Sequence, residues 1–325
     1  MTSNLRISDK TIPLAVPLAG GGEHADRVHL LSEVEISAVN AAIAAGRPLL
    51  VRGEPGTGKS QLARAAAKTL ERAFVQHIVD SHSEARDLLW TFDAVKRLAD
   101  AQLAGALDRK NKFLKTDSLR VESYLHPGPL WWVFDWRSAE SQARRVKIAP
   151  PPQPDGGTWQ QGCVLLLDEI DKAESELPNG LLEALGSRQF TPFGRQQPVF
   201  SAADLPPPLV VITSNEERAL PDAFVRRCLV LRLTMPARDL LIARARAHFP
   251  TAGTPLLEQA VDLLIKDREA AIRAQIRPWP GQAEYFDMVR AVLGLEPKNA
   301  KAQLKLLEAV SRFTLKKYLG SEQPD

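Results

Sequence analysis

The stretch GEPGTGKS, residues 53–60, decides the fold that we expect for this chain of 325 residues. It fits the pattern GxxxxGK[ST], with a short apolar run before it (48–51) and an alanine-rich, helix-like segment after it (61–71). Glycines let backbone N–H groups converge on phosphate oxygens, because no Cβ atom obstructs the approach. In such a loop Lys59 is expected to reach the β- and γ-phosphates, and Ser60 is expected to bind Mg²⁺. The stretch therefore predicts a phosphate-binding loop between a strand and a helix.

The alternative interpretation of this stretch is a glycine-rich turn formed by chance. The agreement of strand, turn and helix argues against it. The residues that we expect to hold the nucleotide through the loop are Gly53, Glu54, Pro55, Gly56, Thr57, Gly58, Lys59, Ser60 and Gln61.

An apolar run that ends in two acids, CVLLLDE at residues 163–169, predicts the centre of a parallel sheet. A strand buried on both faces has a continuous apolar sequence, and ligands bind at the carboxyl ends of such strands. Asp168 is expected to hold Mg²⁺ through its hydration shell, and Glu169 to orient or deprotonate an attacking water. The alternative is that both acids only favour the N-terminus of the following helix.

A third apolar run, residues 209–213, is followed by Asn215, whose amide could hold a water near the γ-phosphate. The alternative is an asparagine that serves only the local turn. Further on, Arg226 and Arg227 stand together. Paired arginines usually lie on a solvated face, but an arginine can also stabilise γ-phosphate charge from a neighbouring subunit.

The order of the elements predicts an α/β domain followed by a helical one, because no strand candidate remains after residue 236. The fold class that we expect is a P-loop NTPase: a parallel sheet sandwiched by helices, then a small all-helical lid. The expected boundaries are a flexible lead at 1–25, the α/β core at 26–235 and the lid at 236–325. Residues 84–107 are expected to form a long charged helix, on a solvated or subunit-facing side.

In this order, the motifs resemble those of the AAA+ ATPases, and within them the MoxR-like branch. GEPGTGKS resembles the Walker A motif, and residues 164–190 resemble Walker B with its following helix. Residues 212–229, ITSNEERALPDAFVRRCL, resemble the sensor 1 and arginine-finger segment. The resemblance covers about residues 30–290, and implies sensor 1 at Asn215 and a finger at Arg227, with Arg226 as the second candidate.

The chain departs from this family at sensor 2, which is often an arginine at the start of a lid helix. The matching stretch, residues 278–284, contains no arginine. The nearest basic residue is Arg277, which we include among the expected cofactor-binding residues, and Arg273 is the next.

Residues 80–102 and 128–136 resemble the helix-2 insert of MoxR-like proteins, which places an insert at about residues 80–136. Similar segments occur in AAA modules linked to bacterial conflict and defence systems. The insert carries a dense aromatic patch, which could grip a substrate or stack bases, or could pack in the core. Its members are Trp131, Trp132, Phe134 and Trp136.

Composition excludes several classes of protein. The net charge of +3, from 42 basic and 39 acidic residues, does not favour nucleic acid binding. Two cysteines without CxxC spacing exclude a disulfide framework and a zinc knuckle. No signal peptide is visible, and the apolar runs are too short to span a bilayer. We therefore expect a cytoplasmic protein without membrane insertion.

The leading hypothesis is an Mg²⁺-dependent ATPase that forms a homo-oligomeric ring, expected to be a hexamer, and remodels or activates a client protein. Ring formation is implied by the resemblance. The second hypothesis is a nucleotide-gated signalling scaffold that controls an effector in a bacterial defence system. The third is a nucleic-acid motor, weakly favoured by basic residues in the insert, namely Arg109, Lys110, Lys112 and Lys115.

Overall fold

The computed structural model describes residues 6–8, 13–19, 27–107 and 119–316 of the chain. The four basic residues of the insert, at 109–115, lie outside these ranges, as do the rest of the lead and the last nine residues. The described strands are β1 (Leu14–Leu18), β2 (Arg27–Leu31), β3 (Leu49–Gly53), β4 (Arg72–Ile78), β5 (Trp90–Phe92), β6 (Leu125–Pro127), β7 (Thr158–Asp168), β8 (Gln189–Phe190), β9 (Val199–Phe200), β10 (Leu209–Ser214) and β11 (Leu229–Leu233).

The described α-helices are α1 (Glu33–Ala45), α2 (Lys59–Thr69), α3 (Ala94–Leu107), α4 (Pro129–Phe134), α5 (Trp136–Val146), α6 (Glu176–Ser187), α7 (Asp222–Val225), α8 (Arg238–His248), α9 (Thr254–Arg273), α10 (Gln282–Leu295) and α11 (Ala300–Thr314).

Five strands form the central sheet in the order β11-β3-β10-β7-β4, with every neighbouring pair parallel. In β7 and β10, residues 164–167 and 209–212 are buried, as the continuous apolar runs predicted for central strands. Parallel strands place their carboxyl ends at one edge of the sheet. The sheet therefore brings the ends of β3, β10 and β7 side by side.

Helices cover both faces of the sheet. On one face, α1 and α2 pack on alternate strand residues such as Val51 and Val164. On the other face, α4, α5 and α6 pack on the intervening residues, such as Leu50 and Leu165. The predicted P-loop α/β fold is confirmed.

Helices α8–α11 form a third, separate core, in which Leu257, Tyr285, Val289 and Leu307 are fully buried. The predicted helical region after the sheet is therefore also confirmed. None of the described helices is long and apolar enough to cross a membrane.

Two local expectations are wrong. Within the lead that we expected to be flexible, Leu14–Leu18 forms β1, which pairs antiparallel with β2. Its side chains alternate between the two faces of the strand, with Val16 and Leu18 buried. The sequence therefore contains a short amphipathic strand, whose pattern is obscured by the surrounding glycines and prolines. Within the expected helix at 84–107, Trp90–Phe92 forms β5, and α3 begins only at Ala94.

The aromatic patch of the insert packs in the core. Trp131 is fully buried, and Trp132, Phe134 and Trp136 are at most 7% exposed. Trp131 meets Phe190 of β8 edge to face, with ring centroids 6.1 Å apart. Buried rings cannot stack on bases, so the structure supports core packing and excludes the stacking surface.

Candidate functional site

A cleft of about 390 Å³ lies where the carboxyl ends of β3, β10 and β7 meet helices α8 and α10. It brings together residues from the phosphate loop, from both strand ends and from the helical lid. Its lining residues are Pro55, Gly56, Gly58, Lys59, Ser60, Gln61, Asp168, Glu169, Thr213, Asn215, His248, Gln282, Ala283, Phe286, Asp287 and Arg290.

Lys59 lies at the bottom of the loop and is 7% exposed. Its Nζ donates to the carbonyls of Gly53 and Glu54 at 2.7 and 2.9 Å, and to Oδ1 of Asn215 at 2.7 Å. Burial lowers the pKa of Lys59, although the nearby carboxylates of Asp168 and others act in the opposite direction. The buried ammonium group of Lys59 is thus held by neutral oxygens, which the charged oxygens of a phosphate can replace.

Two glycines show why the loop needs its sequence. Gly58 caps the N-terminus of α2 at φ 98°, a left-handed conformation that L side chains rarely adopt. Gly56 has φ 77°, and a Cβ atom there would lie 2.9 Å from the Cβ of Ala283 in α10. The two glycines thus leave the backbone N–H groups of the loop accessible to a ligand, and the loop lies directly against the lid.

Ser60 and Asp168 meet at the end of β7. The Ser60 Oγ donates to Oδ1 of Asp168 at 2.8 Å, and the Thr213 hydroxyl donates to the same oxygen at 2.5 Å. Mg²⁺ in nucleotide sites is bound by one or two protein oxygens, substrate phosphates and water. The hydroxyl and carboxylate oxygens of Ser60 and Asp168 fit such an ion. Within the described ranges, no group of three or more His, Cys, Asp or Glu residues could hold a metal by itself.

Glu169 and Asn215 face each other across the ends of β7 and β10. The Asn215 amide Nδ2 lies 3.4 Å from Oε1 of Glu169, while its Oδ1 accepts from Lys59. The other carboxylate oxygen of Glu169 forms an ion pair with Lys172. Glu169 is therefore held in place by an amide on one side and a cation on the other.

Asp171 is a site-building residue that the sequence analysis missed. It is 2% exposed, and its carboxylate accepts from the backbone N–H groups of Asn215 and Glu217, at distances between 2.9 and 3.2 Å. These bonds fix the chain at the end of β10 and so orient the Asn215 side chain. Its closeness to Glu169 in sequence was the only available signal.

The lid contacts the loop through an ion pair that the sequence also did not reveal. Nη2 of Arg268 in α9 donates to Oε1 of Glu54 at 2.9 Å and lies 2.8 Å from Oε2 of the same carboxylate. It also donates to the carbonyl of Pro280 at 2.9 Å. One lid arginine thus ties the phosphate loop to the segment that leads into α10.

Arg277, expected to help hold the nucleotide, does not line the cleft. Its guanidinium is exposed and lies over the ring of Trp279, 4.6 Å from the centroid. From the lid, α10 instead presents Gln282, Phe286 and Arg290, spaced four residues apart on one helix face. Helical periodicity from the start of α10 could have found Arg290.

Arg226 and Arg227 lie outside the cleft of their own chain. They follow α7 and precede β11, the edge strand beside β3. Both are exposed, and Nη1 of Arg227 donates to the carbonyl of Leu182 in α6 at 3.1 Å. Within one chain, the structure does not bring these arginines to the other predicted site residues.

The model of the AAA domain (dynein-related subfamily) matches residues 48–228 of the chain, more than half its length. The match begins just before β3 and ends just before β11. No curated protein sequence matches the chain. A crystal structure of a "putative ATPase" from Cytophaga hutchinsonii is similar at 16% identity and a TM-score of 0.35, over 82% of this chain and 77% of that one.

Proposed function

The chain belongs to the dynein-related subfamily of AAA domains, and we propose that it is an Mg²⁺-dependent ATPase of the MoxR-like branch that works as a homo-oligomeric ring. The observation that carries this proposal is the convergence of Lys59, Ser60, Asp168, Glu169 and Asn215 on one cleft closed by lid helices.

In the proposed reaction, the residues of the cleft bind and orient the nucleotide. The phosphates of ATP lie against the loop backbone at the N-terminus of α2, and Lys59 supplies positive charge. Ser60 and Asp168 hold Mg²⁺, which neutralises phosphate charge when bound. Glu169 orients or deprotonates the attacking water, and Asn215 holds the Glu169 carboxylate and that water in line. Phosphoryl transfer to water depends mainly on such positioning and charge stabilisation.

Stabilisation of the γ-phosphate charge by Arg227 needs a second copy of the chain. Arg227 is exposed and outside its own cleft, so any action on the γ-phosphate would be on a nucleotide held by a neighbour. We propose a closed ring, with a hexamer as the expected size, because each copy then both gives and receives an arginine. Hydrolysis would change the angle between sheet and lid and so remodel or activate a client protein.

A nucleotide-gated scaffold that controls an effector is the second candidate. The ion pair between Glu169 and Lys172 favours it, because it occupies the carboxylate that would act on water. A scaffold would bind ATP and turn over slowly. A partner protein that raises turnover would favour the remodelling ATPase.

Two substitutions test the assignment of an ATPase. Lys59→Ala should lose ATP binding in a calorimeter, because the phosphates lose their buried cation. Glu169→Gln should bind ATP but release no phosphate, since the amide cannot act as a base. Glu174→Gln is the matched control, because Glu174 is exposed and ion-paired with Arg218 outside the cleft; it should behave as wild type. Normal ATP binding by Lys59→Ala, or full turnover by Glu169→Gln, would refute the assignment.

A further inference from the structure

A second pocket, of about 290 Å³, shares no lining residue with the nucleotide cleft. It lies between the end of α1, the end of α6 and α7, and its apolar walls include Leu182, Leu185 and Phe224. Three arginines also line it, and we refer to them together as the arginine rim. They are Arg47, Arg188 and Arg227.

The arginine rim carries charge without a counter-ion among the described residues. Within the described ranges, none of the three forms an ion pair with a carboxylate, whereas Arg268 and Arg290 do. Their side chains instead bond to backbone carbonyls. These bonds run from Arg47 Nη2 to Arg226 O (2.5 Å), from Arg188 Nη2 to Gly46 O (2.8 Å), and from Arg227 Nη1 to Leu182 O (3.1 Å).

Carbonyl bonds of this kind orient a guanidinium without neutralising it. Each guanidinium has five N–H donors, and within the described part of the chain the single bonds above leave most of them free. Free N–H donors would be unfavourable in a buried rim, but Arg47 and Arg227 are exposed and Arg188 is half-buried. The rim is therefore prepared to receive an anion with several acceptor oxygens.

The nucleotide cleft, in contrast, has too little positive charge for a bound nucleotide. Of the lysines and arginines that line it, Arg290 is already paired with Asp287, at 2.7 Å, which leaves Lys59. Asp168 adds negative charge on the same walls, while Glu169 is paired with Lys172. A bound triphosphate brings several more negative charges, of which the proposed Mg²⁺ and Lys59 offset only a part, so the cations of one cleft do not balance them.

We propose that the arginine rim of one copy receives the phosphates of the nucleotide held in the cleft of a second copy. Arg47 and Arg188 would then bind that nucleotide beside Arg227, and the pocket they line would be part of the contact between copies. Arginine suits this task, because its planar fork binds phosphate oxygens in pairs and its charge is permanent. This inference rests on the proposed function, since it requires ATP in the cleft.

The experiment compares the double variant Arg47→Gln/Arg188→Gln with the wild type in ATP and Mg²⁺. ATP affinity of the dilute monomer should be unchanged, which also shows that the variant is folded. ATP-dependent assembly and phosphate release should both fall, release by about 10- to 100-fold, as expected for lost hydrogen bonds to a charged group. Arg144→Gln is the matched control, because Arg144 is an exposed arginine of α5 paired with Glu140; it should behave as wild type.

Mixing variants shows which side of the shared site the rim belongs to. Mixing the double variant with Lys59→Ala should give more activity than the two parents combined, because some contacts then join an intact loop to an intact rim. Mixing it with Arg227→Ala should give no gain, because both variants are defective on the same side. A structural defect within one chain would not produce this pattern.

Two results separate failure of this inference from failure of the proposed function. If Arg227→Ala and Lys59→Ala complement each other but the double variant keeps wild-type turnover and assembly, the rim residues do not bind the neighbour's nucleotide. The same conclusion follows if the double variant gains activity on mixing with Arg227→Ala. If the wild type itself neither binds nor hydrolyses ATP, the proposed function fails first.

Discussion

Asn215 shows how much of the site depends on one side chain. Its Oδ1 accepts from Lys59 and its Nδ2 faces Glu169, so one amide joins the phosphate loop to the acidic strand end. A carboxylate could not make both contacts, because it has no N–H to donate to Glu169. A carboxamide is thus the group that this position requires.

Asn215→Ala should retain ATP binding within a few-fold and lose at least about 10-fold in turnover, because a hydrogen bond to a charged group is lost and Glu169 is no longer oriented. Asn215→Asp should also be slow, since it places a second carboxylate against Glu169. Phosphate release and calorimetric ATP binding measure the two effects separately. Wild-type turnover in the alanine variant would remove Asn215 from the mechanism.

The two cysteines are expected to be chemically silent in the folded protein. Burial raises the pKa of Cys163 to about 12 and that of Cys228 to about 11. Neither thiol should react with a disulfide reagent at pH 8, and both should react in urea. The pKa of a thiol in the unfolded chain is about 8.5. Above that pH the two thiols ionise more readily in the unfolded chain than in the folded one, so the free energy of unfolding should fall as the pH rises. Fast labelling of native Cys163 would contradict its burial.

At the scale of elements, sequence and structure agree where the signal is local. The phosphate loop and the apolar runs of β7 and β10 were predicted, because motif and burial pattern lie within a few residues of each other. The contact between Glu54 and Arg268 could not be predicted, because it joins residues 214 positions apart and depends on how the lid packs. Closeness in sequence to α10 favours Arg277 as the lid arginine of the site, but the helix presents Arg290 to the cleft instead.

The pair of Glu54 and Arg268 should couple lid position to nucleotide binding. Arg268→Gln should weaken ATP binding by about 5-fold, the scale expected for a partly exposed ion pair, without loss of the fold. Glu54→Gln should have a similar effect, and the double variant should be no worse than either single one. Arg238→Gln is the control, because its partner, Asp262, lies within the lid. Fully additive losses would show that the two residues act independently.

At the scale of the whole molecule, the proposed shared site has two halves, which lie on different surfaces of the chain. Among the residues that the structure describes, the cleft is lined by one lysine that forms no ion pair, and the arginine rim by three arginines and no acid. The sequence indicated the finger at Arg227 only through resemblance. It gave no reason to join Arg47, Arg188 and Arg227, because the end of α1, the end of α6 and α7 meet only in the folded domain.

The most direct test of the shared site is to mix Lys59→Ala with Arg227→Ala. Each parent should be nearly inactive; loss of a finger arginine costs about 10³- to 10⁵-fold in comparable phosphoryl-transfer systems. ATP hydrolysis should return in the mixture and rise more steeply than in proportion to protein concentration. Full activity of Arg227→Ala as a dilute monomer, or a mixture no more active than its parents, would contradict a shared site. A defect in Arg226→Ala alone would show that Arg226, and not Arg227, is the finger.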